Sequence, residues 1–257
     1  MTNQLEHANL LKSLHIKGSP LVLFNVWDAG SAIEASKVGL KVIGTSSWSV
    51  AAAHGYEDGQ ELPFDLCLAN IDRIVRVVNL PVTADIEAGY GQTPTDVQET
   101  VAKIIMAGAV GINLEDQIIG TDALYSCDDQ CERIKAARMS TQIPIFINAR
   151  TDIFLKITPE NHSDKHLEEA LFRAAAYANS GADGFFAPGL TDEKLIKRLC
   201  DLSPIPINIM ITQNGPTPKR LAELGVSRIS YGPIPYFQVI ESFKSGAQKA
   251  LEMSAYI

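Results

Sequence analysis

The chain has 257 residues, with 22 Lys and Arg against 30 Asp and Glu and a formal net charge of -8. That balance excludes nucleic acid and an anionic membrane as main partners, because both need a basic footprint. With 46% hydrophobic and 20% charged residues the chain can bury a full core, and α/β barrels reach this length as one domain.

Short apolar runs alternate with helical-period segments from end to end. LVLFNV from Leu21 reads as a strand, 31–38 as a helix, and KVIGT from Lys41 as a second strand. The stretch TSSWSVAAAHGYEDGQELPFD follows and is too long for a plain connection, so it reads as a lid or binding loop. Next come a helix at 64–78, a strand PVTADI from Pro81, a helix at 94–107 and a strand VGINLE from Val110. A second long stretch, DQIIGTDALYSCDD, is expected to be a mobile cover. It leads into a helix at 128–138, a strand IPIFINA from Ile143 and a helix at 165–180. The strands DGFFAP from Asp183, IPINIM from Ile205 and SRISYG from Ser227 complete a set of eight. Helices at 192–200 and 217–224 separate them, and a last helix is expected at about 235–254. Gly39, Gly108, Gly181 and Gly225 each stand where a helix must turn back into a strand, a position that favours left-handed glycine. Eight βα units without a linker predict a single-domain (β/α)8 TIM-type barrel over residues 1–257. An open doubly wound sheet is the alternative, weakened by the lack of G-x-G-x-x-G after any strand.

No run of 18 apolar residues occurs, and the N-terminal segment lacks the apolar stretch and cleavage site of a signal peptide, so a cytoplasmic location is expected. Four cysteines, Cys67, Cys127, Cys131 and Cys200, are too few for a disulfide framework.

In such a barrel the C-terminal strand ends carry the chemistry. Those ends hold Asn25 and Asp28, then Thr45, Ser46 and Ser47, then Asp85 and Glu87. Asn113, Glu115 and Asp116 follow, with Asn148, Arg150, Asp152 and Asn208 after them. Asp85, Glu87 and Glu115 close consecutive strands, and three carboxylates that close call for a cation; all-oxygen ligation favours Mg²⁺ or Mn²⁺. The structural alternative is helix capping or pairing with Arg150. The Arg150 guanidinium suits a substrate carboxylate, or equally a fixed ion pair with Glu115 or Asp152. Asp58 lies in the first long loop with no capping duty, and His54 nearby is either a base or a surface residue. Trp27 and Trp48 follow strand ends and read as pocket wall or core.

TSSWSVAAAHGYED, TADIEAGYG, GINLEDQ and INARTD, in this order and spacing, resemble the isocitrate lyase and phosphoenolpyruvate mutase superfamily over about residues 18–233. The resemblance implies a Mg²⁺-dependent enzyme on small 2-oxo acids that works through a pyruvate enolate. By it, Asp85 binds the metal directly while Glu87 and Glu115 hold its waters; aspartate is common where Glu87 stands. Thr45, Ser46 and Ser47 match the turn that binds the oxo-acid carboxylate; Trp48 and Asn208, by their strand-end positions, are further substrate-binding candidates. Arg150 matches the substrate-binding arginine and Asp58 the catalytic loop aspartate. It also implies a homodimer or homotetramer joined through the terminal helix.

The departures matter as much. The K-K-C-G-H segment of the isocitrate-type lyases is replaced by DQIIGTDALYSC, and the glutamate expected at the sixth strand end by Phe186, Ala187, Pro188 and Gly189. Three readings follow. The first is a lyase or decarboxylase on a small 2-oxo or malate-type acid; the second is phosphonopyruvate mutase or hydrolase chemistry; the third is an oxo-acid-binding barrel without turnover.

Overall fold

The computed structural model describes residues 2–254; the last three residues of the C-terminal tail lie outside them. Eight parallel strands form one sheet: β1 (Leu21–Leu23), β2 (Ile43–Gly44), β3 (Val82–Asp85), β4 (Gly111–Glu115), β5 (Phe146–Arg150), β6 (Gly184–Phe186), β7 (Ile207–Met210) and β8 (Arg228–Ser230). The order β1-β8-β7-β6-β5-β4-β3-β2 runs once around a barrel. Between β1 and β2 the circle is joined by a single bridge, Val26 to Thr45. There Val26 N–H donates to Gly44 C=O at 2.9 Å and Ser46 N–H to Val26 C=O at 3.2 Å. The fold is the (β/α)8 barrel that the alternating pattern predicts, with strands shorter than the apolar runs that contain them.

The helices are α1 (Thr2–Ser13), α2 (Ala29–Lys37), α3 (Ser47–Ala53), α4 (Phe64–Val77), α5 (Pro94–Met106), α6 (Cys127–Met139), α7 (Asp164–Asn179), α8 (Glu193–Leu202), α9 (Pro218–Glu223) and α10 (Ile234–Ser254). Local chemistry explains their limits. α5 starts at a capping box between Thr93 and Asp96 with Pro94 in its first turn, and its buried face is Val97, Val101, Ile104 and Ile105. The four return glycines all lie at positive φ, between 88 and 105°.

Two helices depart from the sequence reading. α1 has only Ala8 and Leu11 fully buried, too few apolar positions to show a period, yet these two pack with Leu23, Val42, Val110 and Phe146 and close the N-terminal mouth of the barrel. α3 occupies the start of the expected first loop, with Ser46 as its cap. Two strand-end aspartates are also not rim residues. Asp28 caps α2, accepting from Ser31 N–H at 2.7 Å. Asp116, fully buried, faces away from the barrel axis and accepts from Tyr177 O–H at 2.9 Å, Arg173 Nη1 at 3.2 Å and Asp152 N–H at 3.0 Å. The alternation of a strand explains it: Glu115 points inward, so its neighbour points outward. The segment after β4 is a tight hairpin, with Gln117 bridged to Leu124. All four cysteines are free. Among the described residues no helix is long and apolar enough to cross a membrane.

His15 seals the mouth beside α1. Its ring stacks on Phe146 with centroids 3.8 Å apart. Nδ1 lies 2.8 Å from Leu11 C=O and so carries the hydrogen, while Nε2 is buried without a partner. Burial first, and the nearby Arg228 charge second, lower its pKa to about 3. The unfolded chain therefore takes up a proton below about pH 6.5 that the folded chain refuses, and stability falls as pH drops from there toward 3. Between pH 6.5 and 5 this amounts to about 1.6 kcal/mol. Urea denaturation at the two pH values should show that extra loss in the wild type and not in His15→Phe.

Candidate active site

At the C-terminal end of the strands lies a cavity of about 150 Å³. Its polar side is Asn25, Ser46, Ser47, Asp58, Asp85, Asn113, Arg150 and Ser230; its apolar side is Trp48, Leu155, Phe186, Pro188, Met210 and Pro233. Three roomier clefts, of about 580, 730 and 240 Å³, lack this convergence of charge. Of the residues singled out in the sequence, Asn25, Ser46, Ser47, Trp48, Asp58, Asp85, Asn113 and Arg150 line the cavity. Thr45, Glu87, Glu115 and Asn208 are not in its wall but stand behind it.

Register brings the charges together. β4 and β5 pair Glu115 with Arg150, and β3 and β4 pair Asp85 with Asn113. Arg150 Nε and Nη2 donate to the two Asp152 carboxylate oxygens at 2.6 and 2.9 Å, and Nη1 lies 2.8 Å from Glu115 Oε2. The guanidinium is thus locked with an edge toward the cavity. Burial alone would lower the Arg150 pKa, but the charges of Glu115 and Asp152 hold it well above the ordinary value. Burial raises the Glu115 carboxyl well above its usual range, with Arg150 opposing the rise.

The Asp85 carboxylate is placed by the turn after β2. Its Oδ2 accepts from Ser47 N–H at 3.3 Å and Ser47 O–H at 3.1 Å, while Thr45 Oγ1 accepts from Asp85 N–H at 2.9 Å. Oδ1 is buried with no partner. Glu87, just past β3, takes a left-handed φ of 51°, a conformation that costs a side-chain-bearing residue about 1–3 kcal/mol. Its Oε2 accepts from Gly59 and Gln60 N–H at 2.8 and 2.7 Å. Burial, then the Asp58 and Asp85 charges, raise its pKa to about 7. Asp58 stands at the mouth of the cavity, its carboxyl raised by partial removal from water and by Asp85.

Among the described residues no three His, Cys, Asp or Glu side chains converge as a ready-made metal cage. The cluster is looser than three shared ligands, although one orphaned carboxylate oxygen faces a surplus of negative charge. Asn208 bonds to Ser230, Nδ2 donating at 3.1 Å. His54 caps the end of α3, its Nδ1 2.8 Å from Val50 C=O. Trp48 contacts Phe237, and Trp27 contacts Tyr236, each at the start of α10. Sequence reasoning missed Leu155, Met210 and Ser230; period-two spacing from Asn208 and Arg228 points at the last two.

The fold and cavity define a (β/α)8 barrel with an acidic, arginine-centred site at its C-terminal face. The chain belongs to the phosphoenolpyruvate phosphomutase family, whose model matches residues 11–251. A crystal structure from Burkholderia cenocepacia J2315, given provisionally as a phosphonomutase, is 46% identical with a TM-score of 0.94, covering 96% of this chain and 99% of that one. The 2-methylisocitrate lyase of Salmonella typhimurium is 33% identical over 79% of this chain and 69% of its own. The oxaloacetate decarboxylase of Pseudomonas entomophila is 29% identical over 90% and 80%. A phosphonopyruvate hydrolase crystallised with oxalate and Mg²⁺ shares the fold at 21% identity, with a TM-score of 0.82 over 98% of this chain and 88% of that one.

Arg150→Met leaves Glu115 and Asp152 buried without their cation, and should lower folding stability by about 3–5 kcal/mol. Urea denaturation at pH 7 reads this directly, and a loss below about 1 kcal/mol would mean that the two carboxylates are held by something else.

Proposed function

We propose that the chain is a Mg²⁺-dependent lyase of the decarboxylating kind, acting on a small 2-oxo or malate-type acid such as oxaloacetate through a pyruvate enolate. The observation that carries this reading is the division of the cavity. It holds one cation, Arg150, on its polar side, and opposite stand Leu155, Phe186, Pro188 and Met210. A carboxylate turned toward that apolar wall is poorly solvated and leaves as neutral CO₂. No Cys, Lys or His lines the cavity among the described residues, so nothing there matches the thiol-bearing segment of the isocitrate-type lyases. A phosphonate group, more highly charged, would find only Arg150 to pair with.

The residues fit a hard cation. Asp85 Oδ1 is a free buried carboxylate oxygen, and Glu87 and Glu115 stand behind it as acceptors for the waters that Mg²⁺ keeps. When bound, the ion supplies Lewis-acid stabilisation of negative charge developing on the substrate oxygen. The protein's own groups do the rest. Arg150, fixed by Asp152 and Glu115, orients the 2-oxo-acid carboxylate, with the Ser46–Ser47 turn beside it. The bond between C3 and C4 breaks, its electron pair moves into the enolate, and CO₂ departs. Asp58, at the mouth, passes a proton to C3 to give pyruvate.

With Mg²⁺, the purified protein is expected to release pyruvate from oxaloacetate or a close analogue faster than glyoxylate from isocitrate or methylisocitrate. EDTA should abolish turnover and Mg²⁺ or Mn²⁺ restore it, and Asp85→Ala should lower kcat by at least about 10²-fold. Robust isocitrate cleavage, or full activity after chelation, would sink the proposal. The resemblance to the provisional phosphonomutase keeps one rival in view: phosphate released from phosphonopyruvate, with no action on carboxylate substrates, moves the assignment to carbon–phosphorus chemistry. Binding of 2-oxo acids with no turnover of any would leave the non-catalytic barrel.

We also propose a homodimer or homotetramer. Phe237, Val239, Ile240 and Phe243 of α10 are exposed, and Val22 and Phe24, on the outer face of the barrel at β1, are left uncovered beside a cleft that Val239 also lines. An apolar surface of this kind is characteristic of a subunit contact. Light scattering at micromolar concentration should give a dimer or tetramer mass, and Phe243→Lys should shift it toward the monomer. A monomeric wild type refutes the assembly.

A further inference from the structure

We propose that Asn113 is a ligand-facing hydrogen-bond donor in the floor of the cavity, and that Arg228 below it is a positioning residue that aims and polarises its amide. The inference rests on the reading of the site as one that stabilises an enolate. Asn113 Oδ1 accepts from two buried donors, Asn148 Nδ2 at 2.9 Å and Arg228 Nη2 at 3.0 Å. That double contact fixes which way the amide points. Nδ2 is then the polar atom that Asn113 offers to the cavity it lines, and it donates to no group among the described residues.

Arg228, the first residue of β8, is 1% exposed, and its Nε and Nη1 have no partner. It forms no ion pair among the described residues, whereas the buried Arg150 and Arg173 each hold a carboxylate and the buried Arg133 donates to Gln130 and to the carbonyls of Ala88, Gly91 and Gln92. A guanidinium removed from water with no carboxylate bonded to it, and only the charge of Asp85 nearby to offset burial, is costly to fold. Its use lies at the far end of the amide it contacts. By drawing electron density from Oδ1 it makes the Nδ2 hydrogens more acidic, so that they bind an oxyanion more strongly than a neutral carbonyl. The positive charge is built in before the negative charge arrives, and no reorganisation is needed when it does.

Oxalate, a planar dianion with the charge and shape of pyruvate enolate, is the probe, titrated calorimetrically in MgCl₂ against pyruvate. Arg228→Met and Asn113→Ala should each weaken oxalate binding by about 10- to 100-fold, and pyruvate binding by less than about 3-fold. The double variant should be no worse than either single one, because the two side chains act as a unit. Arg228→Met should also melt no lower than the wild type, since an unpaired buried charge is replaced by an apolar chain of similar length; a merely structural arginine would lower the melting temperature and leave oxalate binding intact. If Arg228→Met does not fold, Arg228→Lys against Arg228→Gln decides. Tighter oxalate binding by the lysine variant supports the role of charge, and equal binding overturns it. Additive losses in the double variant, or unchanged oxalate affinity in the single ones, overturn this inference alone. A wild type that binds neither oxalate nor pyruvate overturns it together with the proposed function.

Discussion

The organising constraint of this molecule is an excess of negative charge at one end of a barrel, arranged around the guanidinium of Arg150. Asp85, Glu87, Glu115 and Asp152 crowd the region about Arg150, with Asp58 at the mouth. The strand register allows nothing looser: pairing β4 with β5 sets Glu115 beside Arg150, and pairing β3 with β4 sets Asp85 beside Asn113. Hydrophobic packing outside the barrel fixes that register. The backbone then bends to serve the charges, as Glu87 shows by adopting a left-handed conformation so that the 59–60 loop can bind its carboxylate.

The same barrel divides its chemistry by position around the ring. Strands β3 to β5 and the segment after β2 supply charge, while β6 and β7 end in Phe186 and Met210 and the turns after β5 and β6 add Leu155 and Pro188. A small acid entering this space meets a cationic fork on one side and hydrocarbon on the other. Orientation therefore follows from polarity, and the orientation decides which bond of the substrate lies in the low-dielectric half.

Much of this was legible in the sequence, for local reasons. Strand-to-helix alternation, the return glycines and the carboxylates at strand ends are all written within a few residues of where they act. What was not legible depends on direction or closure. Asp28 and Asp116 have the same residue type and strand-end setting as Asp85, yet one caps a helix and the other points out of the barrel toward Arg173 and Tyr177. Leu155 and Met210 are ordinary hydrophobic residues until the barrel closes and makes them a wall. The helix at Ser47–Ala53 was hidden because serines and alanines carry no apolar period, and the one at Thr2–Ser13 because it buries so little.

The seam between β1 and β2 has a mechanical consequence. Every other neighbouring pair of strands is joined by a ladder, but here the ring is held by the Val26–Thr45 bridge, and the turns on its two sides carry Asn25 on one and Ser46 and Ser47 on the other. Parting the barrel at this point breaks fewer backbone hydrogen bonds than parting it anywhere else. Amide protons at Val26 and Ser46 therefore exchange with solvent through a smaller opening than those of β4 and β5. The active site sits across this seam of its own scaffold, with Asn25, Ser46 and Ser47 beside it and the apolar wall on the ladder-joined strands opposite.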